Sequence, residues 1–87
     1  MRHATPAALD ELEPLLARLR QLDGLVEKKR GVFYRKSKAF LHFHEDPSGH
    51  YADVRLVTDF ERFRVQTPQE QSDLLERIIA AVRVAPP

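Results

Sequence analysis

From Gly31 to Gln66 the apolar residues recur at every second position, and three turn-forming stretches interrupt them. A period of two belongs to strands with one buried face. Val32 to Arg35, Lys38 to Glu45, His50 to Val57 and Arg62 to Gln66 therefore read as four strands. Asp46-Pro47-Ser48-Gly49 is the firmest of the turns, since each residue favours turn geometry. Lys36-Ser37 and Thr58-Asp59-Phe60-Glu61 supply the other two.

These turns set a register, and the register sorts the residues. With Glu45 opposite His50, Phe43 faces Ala52, Leu41 faces Val54 and Ala39 faces Leu56. Extending it places Tyr34 and Val32 opposite Ala39 and Leu41, and Phe63 and Val65 opposite Leu56 and Val54. All ten share one apolar face.

Two amphipathic segments flank the strands and can cover that face. Thr5-Pro6 opens the first as N-cap and first helical residue, and leucines 9, 12, 15, 16, 19 and 22 form its stripe. Pro14 predicts a kink within one helix, and Asp23-Gly24 predicts its end. Residues 25–31, with Lys28, Lys29 and Arg30, read as a solvated connection. Thr67-Pro68-Gln69-Glu70 is a capping box, followed by the apolar face Leu74, Leu75, Ile78, Ile79 and Val82. The expected fold is α+β: helix, four-stranded antiparallel meander, helix, with both helices on one face. Residues 1–87 form a single domain, with 1–5 and 84–87 frayed.

The opposite face carries Phe33, Arg35, Lys38, Phe40, His42, His44, Tyr51, Asp53, Arg55, Arg62 and Arg64. Phe33 is expected opposite Phe40, His42 opposite Asp53, and His44 opposite Tyr51. Exposed rings among arginines and lysines point to a contact surface. The leading expectation is an interaction module for self-association or a protein partner. Base stacking with phosphate contacts makes nucleic acid the alternative, although the net charge is only +1. His42, His44 and Asp53 offer a further alternative, a metal site, because imidazole and carboxylate ligands two apart on a strand point the same way.

Catalysis finds no support: the His42–Asp53 pair has no cysteine beside it, Ser37 and Ser48 sit in turns, and no glycine-rich phosphate loop occurs. The reading is non-enzymatic, with no cofactor. Absence of cysteine, of a signal-like apolar run at the start and of any membrane-length stretch makes the cytoplasm the expected location, with no membrane partner.

The segment from Gly31 to Asp46, with Tyr51-Ala-Asp-Val-Arg55 and Phe60-Glu-Arg-Phe-Arg-Val65, resembles a family of small uncharacterised bacterial proteins. The order of elements is also similar to the MmcQ/YjbR-like fold, in which Lys38-Ala39-Phe40 and the Pro68-to-Val82 helix match a strand-borne segment and a later helix. This chain is shorter and lacks a clear strand before its first helix. That resemblance implies DNA binding, by analogy of fold.

Overall fold

The structure, a computed structural model, describes residues 1–83. The expected fraying at 84–87 lies outside those residues. The elements in order are β1 (Arg2–His3), α1 (Pro6–Leu19), β2 (Leu25–Lys29), β3 (Val32–Arg35), β4 (Lys38–Asp46), β5 (Gly49–Val54), β6 (Glu61–Arg64) and α2 (Pro68–Arg83). The chain is α+β, with an antiparallel sheet ordered β2-β3-β4-β5-β6 and β1 added against β4. Six strands therefore replace the expected four, and a strand precedes the first helix.

Residues 2–5, expected to fray, are tied down. β1 pairs Arg2 with Glu45 and His3 with His44, and the Ala4 N–H donates to the Phe43 carbonyl at 3.1 Å. Thr5 caps α1 by accepting from the Ala8 N–H at 3.3 Å, and its hydroxyl also reaches the Glu45 carboxylate. α1 runs unbroken through Pro14, which faces solvent, where water can satisfy the carbonyl left without a donor. The helix ends at Leu19, sooner than Asp23-Gly24, and Gly24 takes its positive φ of 91° in the turn that follows.

Residues 25–29 form an edge strand instead of a solvated connection. Leu25 packs against the core, and Glu27 accepts from Arg20 and from the Gly31 backbone. Arg30 bridges Asp10 and Glu13, and Arg20 also meets Glu13, so the basic segment is fastened to α1.

One core serves both helices. Leu12, Leu15, Leu16 and Leu19 from α1 join Leu74, Leu75 and Ile78 from α2 over Leu41, Phe43, Ala52, Val54 and Val65. Each of these side chains other than Ala52 contributes about 1.5–3 kcal/mol on burial. The capping box at α2 is formed as expected: the Glu70 N–H donates to Thr67 Oγ1 at 3.1 Å and the Thr67 N–H to Glu70 Oε1 at 3.0 Å.

The β4–β5 register is the expected one, from Leu41 opposite Val54 to Glu45 opposite His50. The flanking hairpins differ. Tyr34 does face Ala39, but Phe33 faces Leu41, leaving Phe40 as an extra residue in a β-bulge. The bulge turns Phe33 and Phe40 into the core, at 1% and 3% exposure. Both were expected on the exposed face, while Val32 and Tyr34, expected in the core, are only half-buried. Burying two phenyl rings outweighs the interrupted ladder. On the other side, β6 is slid by four residues: Phe63 faces Ala52 and Arg62 faces Asp53. An even slide preserves the faces but changes every partner.

Candidate metal centre on the open sheet face

Consecutive odd and even positions separate the two faces of β4, so His42 and His44 share the side turned away from Phe43 and the helices. Asp53 stands opposite His42 on β5. Its Oδ2 lies 3.5 Å from His42 Nε2 and 3.2 Å from His44 Nε2. The ligand atoms of these three residues all fall within 4.8 Å of one another. β1 adds a third imidazole, since its register places His3 beside His44. The two rings stack at 4.7 Å, and His3 lies 6.1 Å from His42.

Arg62 completes the cluster from β6. Its Nε and Nη2 donate to the two oxygens of Asp53 at 2.8 and 2.9 Å. Those bonds hold the Asp53 carboxyl below its usual range, against the opposing effect of burial. Burial pushes the His42 imidazole below its ordinary value, more than Asp53 raises it. The cluster therefore presents a carboxylate and a neutral imidazole, the protonation states that metal ligands require. The buried Nδ1 of His44 has no hydrogen-bond partner among the described residues.

The remaining expected site residues disperse. Phe33 and Phe40 are in the core. Tyr51 stands opposite His44 as expected, and its hydroxyl hydrogen-bonds the Ser48 hydroxyl at 2.6 Å. Arg64 pairs with Glu70 and donates to the Ser48 carbonyl. Arg55 lies over the Phe60 ring at 4.6 Å. Phe60 also meets His42 edge-on at 5.1 Å. Arg35 and Lys38 sit with Arg55 at one end of the sheet. His50, two residues from the β4–β5 turn, projects to the helix side and pairs with Glu11 at 3.3 Å.

Sequence reasoning missed His3, Phe60 and the Arg62–Asp53 pairing. A two-residue strand carries no periodicity, so nothing in the sequence announces that His3 joins His44. The Arg62 partner depended on the length of the loop after β5, which runs from Arg55 to Phe60. Comparison with protein-family models, with curated proteins and with solved structures finds no match.

Proposed function

We propose that this protein is a non-enzymatic binding module whose ligand is a divalent transition metal, held by His42, His44 and Asp53. The observation that carries this reading is the distance from Asp53 Oδ2 to each of the two imidazoles, with all three ligand atoms within 4.8 Å of one another. In a tetrahedron with bonds of about 2.0–2.1 Å, ligand atoms stand about 3.3–3.4 Å apart. The two imidazole-to-carboxylate separations, 3.5 and 3.2 Å, bracket that edge. Asp53 Oδ2 would take the metal, sharing that oxygen with or displacing the Arg62 Nη2 donor, while Oδ1 keeps its bond from Arg62 Nε, which orients the carboxylate from outside the coordination sphere. Imidazole with one carboxylate suits zinc and its neighbours in the first transition row.

The burial of Phe33 and Phe40 leaves the face with fewer rings for base stacking or for the centre of a protein interface. That weighs against those two readings and toward the cluster.

The test is a titration of tag-free, chelator-treated protein with Zn²⁺ by calorimetry and with Co²⁺ by visible absorption. One equivalent should bind, with the intense absorption bands of a tetrahedral site. His44→Ala and Asp53→Asn should each abolish binding, and His3→Ala should weaken it by about tenfold if His3 fills the fourth position. Failure to bind zinc, cobalt, nickel or copper at neutral pH overturns the proposal.

A further inference from the structure

At the end of the sheet, the β3–β4 turn and the loop after β5 enclose a concavity of about 320 Å³. Arg35, Lys36, Lys38 and Arg55 line it, together with Leu56 and Val57. No acidic residue lines it; Asp59, the nearest in sequence, is not part of its wall. Elsewhere the arginines of this sheet are paired, Arg62 with Asp53 and Arg64 with Glu70. None of these four cations has a carboxylate within ion-pair distance among the described residues. The Arg55 guanidinium rests over the Phe60 ring at 4.6 Å, but its buried Nε has no hydrogen-bond partner among the described residues. A buried guanidinium N–H with no acceptor is rare enough to need an explanation.

The backbone bears on one of these cations and supplies a test of it. Lys36 and Ser37 hold positive φ angles of 51° and 68°. A two-residue hairpin turn of this hand favours Asn-Gly, and a side chain such as that of lysine carries a steric cost there. The hairpin turn imposes this hand on both residues and sets Lys36 at the wall of the concavity, where a glycine would carry less strain. Val57, at 82% exposure, is an apolar rim left without cover.

We propose that this concavity is a binding site for a small organic phosphate, whose dianionic head is met by Arg35, Lys36, Lys38 and Arg55 and whose carbon skeleton lies on Leu56 and Val57. Guanidinium groups match tetrahedral oxyanions, and lysines add charge without demanding one geometry. The volume exceeds what a bare phosphate fills, and the apolar rim gives the remainder something to contact. The metal site is not required for any of this.

The experiment uses chelator-treated protein at low salt, so that metal-bound phosphate is excluded. Phenyl phosphate, inorganic phosphate and a short single-stranded oligonucleotide are titrated separately, with amide shifts of residues 35–38 and 55–58 as the readout. Saturable shifts confined to those residues, with phenyl phosphate tighter than inorganic phosphate, are the expected result. Lys36→Gly should raise or leave unchanged the thermal midpoint, because it relieves the positive φ, yet weaken phenyl phosphate about tenfold. Arg55→Gln should do the same or more to binding. Equal affinity for the two phosphates overturns the organic-phosphate assignment, and binding of the oligonucleotide alone assigns the basic end to nucleic acid instead. An absence of saturable shifts, or a Lys36→Gly variant that binds as the parent does, overturns the site altogether.

Discussion

Gly31 occupies the turn between β2 and β3 with a φ of 81°, and a Cβ there would meet Leu9 Cδ2 at 2.7 Å. The backbone conformation demands glycine, whereas the Leu9 methyl, at the end of its side chain, can shift. Gly31→Ala should therefore destabilise the fold by about 1–3 kcal/mol from backbone strain alone, read as a lower urea midpoint. His42 makes a different kind of claim. Its folded-state pKa lies below the ordinary 6.5, so between the two values the unfolded chain holds more protons than the folded one. Its contribution to stability is fully present above 6.5 and is lost as the pH falls toward the folded value. Asp53 acts in the same direction lower down, since its carboxyl is held below 3.8. Urea unfolding on either side of pH 6.5 should show the slope, and His42→Gln should flatten it. An unchanged slope in that variant would assign the loss to other groups. The groups facing this imidazole are Asp53, Arg62, His44 and His3, with Phe60 against its edge.

Among the elements, the bulge in β4 has the largest consequence. With regular pairing, Phe33 would face solvent and its truncation would cost little. In the bulged strand it is 1% exposed, and Phe33→Ala should cost about 3–5 kcal/mol. A loss under about 1 kcal/mol would restore the regular pairing. The contrast between hairpins shows what a sequence states and what it leaves open. The β4–β5 register is legible because Asp46 and Gly49 close a tight turn, with Asp46 Oδ1 accepting from the Ser48 N–H at 2.8 Å. The bulge at Phe40 is not, because alternation in Val32 to Arg35 fits either pairing locally. Only the competition between two phenylalanines for the core decides it. Likewise β2 hides behind Lys28, Lys29 and Arg30, whose charges read as loop although Leu25 and Glu27 alternate with exposed neighbours. The His42–Asp53 pairing was within reach of turn chemistry; the Arg62 and His3 partners needed a loop length and a two-residue strand.

At the scale of the molecule, the helices claim one face of the sheet and leave the other to the cluster, while the basic concavity lies at one end of the sheet. No helix among the described residues is long and apolar enough to cross a membrane. A metal that binds only the folded chain stabilises it by mass action. Zinc at a hundredfold excess over its Kd should add about 2.7 kcal/mol to the unfolding free energy. Removing it with a chelator should reverse the gain, and Asp53→Asn should show none. β3 and β1 share one edge of β4, the first along residues 38–41 and the second at 44 and 45. Two paired residues make a weak hold, so β1 should detach by local opening more often than the strands of the core. The Ala4 amide, bonded to the Phe43 carbonyl, then works as a clock on that opening. Engagement of His3 by a bound ion would slow its exchange with deuterium through the local opening itself, whereas the amides of the β4–β5 ladder would slow only as far as the whole fold is stabilised. The start of the chain thus doubles as a built-in gauge of occupancy, legible without any spectroscopic signal from the metal.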